Sequence, residues 1–321
     1  MPLDAISGHR LPIEILRGML HRQQIPHAFI FSGIEGIGKR TAAAAFIKAL
    51  NCREREADFC DVCLSCRKIE KQVHPDCHVI EPEKNIIKIE QIRSLQADIA
   101  FKPLEGKKKA VILDQAEKLN SQAANCLLKT LEEPPEDTVI ILISRGTAGM
   151  LPTVLSRCQH IRFSPLGDED ILQLLCRQGL AALKAQQLLP HAHGSIKRAL
   201  FLAETDFLDR RNEIAELLSP GLSKNAEAML ALAKRLRDDD TGIVLVLEFI
   251  QSWYRDLLVL KEGLSGSDLY NADMAEALNE AAAGMTRDAL IRKIKKIQWL
   301  RNNAVLNIDT QLALESAFLY S

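Results

Sequence analysis

A glycine-rich stretch near the N-terminus has the residues needed to bind a phosphate group. Its glycines and lysine are Gly33, Gly36, Gly38 and Lys39. Glycines let backbone N–H groups converge on phosphate oxygens, the following helix N-terminus adds partial positive charge, and the lysine supplies a full one. An apolar run at 28–31 precedes the loop and a helical pattern at 41–48 follows it. This strand–loop–helix context is the one that the phosphate-binding motif requires.

The loop departs from the motif at the position that normally coordinates magnesium. Arg40 replaces the serine or threonine hydroxyl, and Thr41 is turned from that position by about 100° along a helix. Asp114 ends an apolar run, where P-loop folds place a magnesium-associated carboxylate, although a turn or helix cap explains it equally well. Gln115 follows it, and glutamine cannot accept a proton. We therefore expect the loop to hold phosphate but to hydrolyse it poorly, and its occupation by ATP or ADP stays open.

Four cysteines form a second group with a recognisable chemistry. They are Cys52, Cys60, Cys63 and Cys66. The two gaps of two residues suit a tetrahedral zinc site, with four unrelated thiols or an iron–sulfur cluster as alternatives. The Cys-Pro end of the ferredoxin run is absent, which favours zinc. No histidine or open ligand position accompanies the cysteines, so the predicted zinc ion has a structural role.

The bulk composition limits the classes of protein to which the chain can belong. Its 321 residues suit two or three domains, and 47% hydrophobic and 26% charged residues are ordinary for a globular protein. The net charge of −1 argues against a protein that coats nucleic acid by charge alone. The N-terminus lacks a signal-peptide pattern, and no apolar run approaches the ~20 residues that span a bilayer. These features predict a cytoplasmic protein, in which cysteines serve as thiols or metal ligands.

Two kinds of periodicity divide the chain. Over roughly the first 160 residues, apolar runs alternate with helical patterns, which predicts a parallel α/β sheet. Strands are expected at 28–31, 110–114 and 139–144, with further short apolar segments at 79–80, 86–89 and 161–163. Helices are expected at 11–23, 41–48, 90–100 and 119–133. From Asp168 onward helical periodicity dominates. A basic run at 292–296 is predicted on one of these helices, as a solvated face or as a binding patch.

Three further motifs complete a resemblance to a known family. They are His74-Pro75-Asp76, the helical stretch 119–135 that ends in Glu-Glu-Pro-Pro, and Ser156-Arg157-Cys158. Together with the phosphate loop and the cysteines, they resemble the bacterial clamp-loader ATPases of DNA polymerase III. The resemblance covers about half of the chain, all of it N-terminal.

The resemblance implies three domains and a place in a ring-shaped assembly. It implies an α/β AAA+ P-loop core at 1–165 with a zinc module at about 52–66, a small helical lid at 166–205 and an all-α collar, or oligomerisation domain, at 206–321. The implied partners are the gamma/tau and delta subunits in a five-membered ring. Through that complex, the chain would act on the sliding clamp and on primer–template DNA in replication.

Within such a ring, Arg157 would be presented to the ATP of a neighbouring subunit as an arginine finger. A guanidinium is permanently charged and forked, which suits the charge that develops on a γ-phosphate. The alternative is that Arg157 forms an ordinary ion pair at the edge of the subunit.

Departures from the motor subunits of that family indicate which role the chain has. Motor subunits resemble it but carry Ser or Thr at position 40, Glu at position 115 and usually an arginine where Lys197 stands. These departures favour a stator subunit without intrinsic ATPase activity, which supplies Arg157 and a subunit interface. The alternatives are an active gamma/tau-like motor subunit and an unrelated nucleotide-gated zinc protein.

Overall fold

The computed structural model describes residues 3, 6–205, 207–218, 240–264 and 269–304. The chain separates into two compact units. The first comprises 1–174 together with 194–198, and the second comprises 175–193 and 199–321. The predicted lid at 166–205 is thus divided between the two units, and its standing as a separate domain remains a prediction. Parts of the predicted collar, 219–239 and 305–321, lie outside the described residues.

A parallel five-stranded sheet forms the centre of the first unit, which confirms the predicted α/β arrangement. Its strands are β1 (Ala28–Ser32), β2 (Cys77–Ile80), β3 (Lys109–Leu113), β4 (Thr138–Ser144) and β5 (Gln159–Arg162). Their order across the sheet is β2-β3-β4-β1-β5, and every pairing is parallel. The three middle strands are buried along their whole length. Burial on both faces explains why their sequences are nearly continuous apolar runs.

Six α-helices accompany the sheet in the described part of the chain up to residue 155. They are α1 (Arg10–Arg22), α2 (Lys39–Asn51), α3 (Leu64–Glu70), α4 (Ile89–Ile99), α5 (Ser121–Glu132) and α6 (Pro152–Leu155). Helices α4 and α5 share an apolar core with the sheet, in which Leu95 and Leu127 pack with Ile140. This core is buried almost completely and holds the carboxyl ends of β1, β3 and β4 in register.

Two helices begin two residues away from the starts expected from periodicity, whereas α1 and α4 begin within one residue of theirs. Helix α2 starts at Lys39, because Gly38 adopts a left-handed conformation (φ 95°) that turns the chain directly into the helix. Helix α5 starts at Ser121 instead of 119, because the Asn120 side chain accepts a hydrogen bond from the Ala123 N–H at 2.7 Å. A short 3-10 turn, Ala116–Lys118, precedes it.

The rest of the described chain is helical, as the periodicity predicted. Its helices are α7 (Asp168–Arg177), α8 (Ala182–Ala192), α9 (Ile196–Glu204), α10 (Phe207–Leu218), α11 (Asp240–Lys261), α12 (Ala275–Ala283) and α13 (Arg287–Ala304). The buried Trp253 of α11 belongs to the core of the second unit, with Ile297 and Leu300 from α13. The basic run 292–296 lies on α13. None of the described helices is long and apolar enough to cross a membrane.

Candidate functional site

The phosphate-loop lysine is folded back onto its own loop. The Lys39 Nζ donates hydrogen bonds to the carbonyl oxygens of Gly33 and Ile34, both at 2.6 Å. The side chain is 5% exposed. Burial lowers the pKa of Lys39, while the nearby carboxylates Asp114, Glu117 and Glu35 act in the opposite direction. The lysine predicted to meet a phosphate therefore already has carbonyl partners and three carboxylates around it.

Arg40 lies beside Asp114, the carboxylate for which the sequence left a magnesium role and a turn or cap role open. Its Nη1 is 3.4 Å from Asp114 Oδ2 and also pairs with Glu81, while its Nη2 is 3.4 Å from Gln72 Oε1. The other oxygen of Asp114 accepts the Gln115 N–H at 2.9 Å. A fixed positive charge thus stands where the motif would place a metal ion. Thr41 is exposed on the first turn of α2.

Glu35 brings two further basic residues to the phosphate loop. Its Oε1 accepts a hydrogen bond from Lys197 Nζ at 2.6 Å, and its Oε2 pairs with Arg145, the residue after β4. The hydrogen bond from Lys197 holds the pKa of Glu35 below its usual range, although burial acts against it. All three side chains are partly exposed. The candidate sensing residue Lys197 therefore contacts the loop through a carboxylate of the same chain, and its role as a nucleotide sensor stays a prediction.

Gly36 allows the segment 194–198 to approach the loop closely. A Cβ at this position would lie 2.4 Å from Lys197 Cβ and from Ser195 Oγ, and its φ of +77° favours glycine. The Lys197 N–H donates to the Gly36 carbonyl at 3.2 Å. The glycine is thus required for packing within the chain, whatever ligand the loop holds.

The residues around the loop do not fit a magnesium–nucleotide ligand. The hydroxyl ligand is replaced by a guanidinium, the loop lysine is bonded to carbonyls, and Lys197 is paired with Glu35. A polyphosphate binds where backbone N–H groups and cations are unpaired. As folded, the loop therefore offers its described cations to groups of the chain itself and not to a nucleotide.

The four cysteines come together as a cluster that fits a zinc ion. Their Sγ atoms all lie within 4.8 Å of one another, with Cys52 and Cys66 fully buried. Zinc–sulfur bonds of about 2.3 Å require sulfurs about 3.8 Å apart, a spacing that small side-chain adjustments would reach. The donor set of four thiols is typical of structural zinc sites.

The surroundings of the cysteines favour the thiolate form of Cys63 and the neutral thiol form of Cys66. Cys63 precedes α3, and its Sγ accepts the Cys66 N–H at 3.5 Å. Burial would raise the pKa of Cys63, but hydrogen bonds to its sulfur lower it to about 6. Burial raises the pKa of Cys66 to about 12. A divalent cation would supply the charge that lets both sulfurs ionise together.

The His74-Pro75-Asp76 motif serves as scaffold for this cysteine cluster. Asp76 is fully buried, and its carboxylate accepts the N–H groups of Leu104, Glu105 and Gly106 at 2.7–2.8 Å. These bonds hold the pKa of Asp76 below its usual range although burial acts against them. The loop so ordered also pairs with α3, through Lys68 and Glu105 at 2.6 Å. The motif thus fixes the segment that borders the cysteines.

The cluster is also tied to α2 by a single lysine. Lys48 Nζ pairs with Asp61 at 2.6 Å and with Glu70 at 2.5 Å, and it lies 5.1 Å from the centroid of the Phe59 ring. The side chain of Lys48 is 8% exposed. Lys48 therefore anchors the cysteine segment at Asp61, within the loop, and at Glu70, in the helix that follows it.

Arg157 lies at the edge of the first unit, between α6 and β5. Its Nη2 pairs with Glu132 at 2.7 Å, and its Nη1 donates to the Thr153 carbonyl at 3.0 Å. The side chain is 35% exposed. This is the ion pair that the sequence offered as an alternative to the finger. It links Arg157 to the Glu-Glu-Pro-Pro motif, and the partial exposure leaves the guanidinium within reach of another molecule.

Several residues of the phosphate loop region were missed by sequence reasoning. Glu35 stood inside the motif as a variable residue, and Arg145 and Glu117 follow the strands β4 and β3. Their positions at carboxyl ends of strands were a usable signal, since parallel strands end at one edge of the sheet. His9 gave no such signal. Its buried imidazole donates from Nε2 to the Ile37 carbonyl at 2.5 Å, and burial lowers its pKa.

Comparison with known proteins gives a consistent family assignment. The family described as "DNA polymerase III, delta subunit" matches residues 8–167, and the family described as "DNA polymerase III, delta subunit, C terminal" matches residues 205–320. Together they account for most of both units.

Three relatives illustrate the similarity. The delta′ subunit of DNA polymerase III from Bacillus subtilis is 28% identical over 311 residues, which cover 96% of this chain and 94% of that protein. The delta′ subunit from Pseudomonas aeruginosa is 34% identical over 240 residues, covering 73% and 71% of the two chains. The tau subunit from Escherichia coli is 30% identical over 254 residues, covering 77% of this chain and 38% of tau. The chain therefore belongs to the DNA polymerase III delta′ subunit family.

Proposed function

We propose that the chain is a non-hydrolysing stator subunit of the DNA polymerase III clamp loader. In this role it would help to load the sliding clamp on primed DNA within an AAA+ ring that contains gamma/tau and delta subunits. Membership of the delta′ family supports the clamp-loader role. Similarity to a tau subunit supports kinship with the motor subunits with which it would assemble.

The observation that carries the stator proposal is the position of Arg40. Its guanidinium lies 3.4 Å from Asp114, at the place where a motor subunit would bind magnesium between a hydroxyl and this carboxylate. Gln115, which follows, cannot serve as a proton acceptor. A metal-dependent hydrolysis step thus lacks both its cation site and its base.

The proposed contribution to catalysis is Arg157, acting on ATP bound by a neighbouring subunit. The guanidinium is partly exposed at the edge of the first unit and is held by Glu132 and by the Thr153 carbonyl. The ion pair with Glu132 orients the guanidinium group of Arg157 and leaves it partly exposed. An arginine supplied in this way stabilises the charge on the transferred phosphoryl group.

We further propose that the cysteine cluster binds one structural zinc ion. The clustering of four sulfurs within 4.8 Å and their anchoring to α2 support this assignment. Zinc would supply folding energy to the module and would take no part in chemistry.

The alternative function is an active gamma/tau-like motor. It is supported by the retained Gly33, Gly38 and Lys39 and by the similarity to tau. The two functions differ in whether the chain alone turns over ATP.

The test is nucleotide binding and phosphate release by the purified full chain with ATP and magnesium. We expect no turnover above the background of a Lys39→Ala control. Turnover that exceeds this control would contradict the stator proposal and would support the motor.

A further inference from the structure

The charged groups around the phosphate loop balance one another. The cations are Lys39, Arg40, Arg145 and Lys197. The carboxylates are Glu35, Glu81, Asp114 and Glu117. Every cation of this set contacts either a carboxylate or a carbonyl of the chain. A phosphate-binding loop ordinarily presents excess positive charge to its ligand, and here four positive charges face four negative ones.

We infer that Glu35 and Arg40 exclude nucleotide by occupying, from within the chain, the places of a phosphate anion and of its metal cation. The inference rests on the proposed function and deepens it, because it names the residues that make the loop unable to accept its ligand.

Glu35 has the contacts expected of a bound anion. It belongs to the loop itself. One of its carboxylate oxygens pairs with Lys197, from the segment 194–198, and the other pairs with Arg145, directly after β4. These two cations come from separate parts of the chain, and both pair with this carboxylate. An external phosphate would have to displace Glu35 before it could reach either of them.

Arg40 has the contacts expected of a bound cation. Its Nη1 lies between Glu81 and Asp114, two carboxylates that come from the ends of neighbouring strands β2 and β3. Its charge is permanent at any physiological pH, so the position cannot be vacated by deprotonation. A magnesium ion approaching Asp114 would meet like charge.

Glu117 adds negative charge that no internal hydrogen bond satisfies. Both of its carboxylate oxygens are buried without a hydrogen-bond partner in the part of the chain that the structure describes. The nearest ion-pair contact is Arg145 Nε at 3.9 Å. A second carboxylate thus shares Arg145 with Glu35 and would repel a polyphosphate.

The competing explanation is that the contacts of Glu35 are ordinary surface ion pairs. The side chains are 40–71% exposed, and exposed pairs contribute little to stability. The inference therefore concerns which charges the site offers to a ligand, and it predicts a change in anion affinity with little change in folding.

The experiment measures binding of inorganic tripolyphosphate to the full chain by calorimetry, without magnesium. We expect Glu35→Gln to bind tripolyphosphate at least about tenfold more tightly than the native chain, since a like charge is removed and two cations are released. Glu83→Gln is the matched control, because it also breaks an exposed glutamate–lysine pair, with Lys88 at 3.6 Å. Its affinity should equal that of the native chain.

Glu117→Gln is a second, independent variant that keeps the shape of the side chain. It should also tighten tripolyphosphate binding, so the inference stays testable if Glu35→Gln does not fold. Equal affinities of native, Glu35→Gln and Glu117→Gln chains would overturn it. A gain for Glu83→Gln as large as for Glu35→Gln would overturn it too, because the effect would then be one of net charge.

The proposed role of Arg40, which is to occupy the place of the metal cation, is tested by measuring ATP binding with and without magnesium. In the Glu35→Gln background, adding Arg40→Thr should make ATP binding stronger with magnesium than without it, whereas Glu35→Gln alone should show no gain from magnesium. A magnesium effect that is the same with and without Arg40→Thr would refute the role of Arg40.

Failure of this inference differs from failure of the stator proposal. Turnover by the native chain would contradict the stator proposal. An inert native chain whose variants also bind no tripolyphosphate would contradict only the inference.

Discussion

At the scale of single residues, the charged groups around the phosphate loop are paired with groups of the chain itself. Arg40 differs from a threonine by a permanent charge, and that charge is held 3.4 Å from Asp114. Lys39 keeps its motif position and yet bonds to Gly33 and Ile34 carbonyls. The presence of a motif residue in the sequence therefore gave no information about its partners, which are carbonyls of the same loop for Lys39 and carboxylates more than 40 residues away for Arg40.

The buried carboxylate of Asp76 gives the first prediction. Asp76→Asn should lower the free energy of unfolding by about 2–3 kcal/mol, because three N–H donors are then left with one acceptor oxygen and at least one of them faces the amide NH₂. Urea denaturation at pH 7 measures this change. Asp137→Asn is the control, since Asp137 pairs with Lys108 in an exposed position, and it should change stability by no more than about 0.5 kcal/mol.

The same carboxylate sets a pH dependence. The pKa of Asp76 is lower in the folded chain than in the unfolded one, so its stabilisation is complete above the unfolded pKa of about 4. That stabilisation is lost as the pH falls through the folded pKa. The difference in stability between native and Asp76→Asn chains should therefore shrink below about pH 4. A difference that stays constant on acidification would contradict the assigned role.

At the scale of elements, caps and cores determine where the motif residues stand. Helix α5 is fixed at its start by Asn120 and carries Glu132 in its last turn, where it pairs with Arg157. Asn120→Ala should cost about 1 kcal/mol of unfolding free energy, because the Ala123 N–H loses its acceptor. Chemical denaturation measures this loss. Ser121→Ala at the next position is the control, and an equal loss there would rule out the cap as its cause.

The cysteine module gives the prediction for metal removal. The purified chain should contain one zinc ion, and chelation or Cys60→Ser should lower the melting temperature, because bound zinc contributes folding free energy. Cys176→Ser is the control, since Cys176 is exposed and lies outside the cluster. Mass spectrometry and thermal unfolding measure the two effects. Equal melting temperatures with and without metal would refute a structural ion, and iron with visible absorption would favour the iron–sulfur alternative.

The elements were predicted better than their contacts. Continuous apolar runs identified the middle strands, because a strand buried on both faces leaves a strong local pattern. The cysteine spacing predicted that four sulfurs would meet, since short gaps limit the distance between them. The position of Arg145 after a strand was a usable signal, but the contacts of Glu35, Arg145 and His9 could not be found in this way. Their partners are more than 25 residues away, and no local pattern encodes such pairs.

At the scale of the whole molecule, the chain forms two compact units that differ in secondary structure. The first unit gathers the phosphate loop, the cysteines and Arg157 on a parallel sheet. The second unit is helical where described, with a core around Trp253. The buried side chain of Arg211 reaches the more exposed Asp273 there, with its Nη2 2.5 Å from the carboxylate. In the proposed stator, chemistry is confined to the first unit, and its function is completed only by a neighbouring subunit.

The most direct measurement is ATP turnover by a clamp loader reconstituted from gamma/tau, delta and this chain. Arg157→Ala should leave folding and zinc content unchanged and lower the turnover substantially, because the rate at the neighbouring site falls by about 10³-fold. Arg162→Ala, which removes an exposed arginine from β5, should leave turnover at the native level. Unchanged turnover with Arg157→Ala would contradict the arginine finger and leave Arg157 as the partner of Glu132 alone.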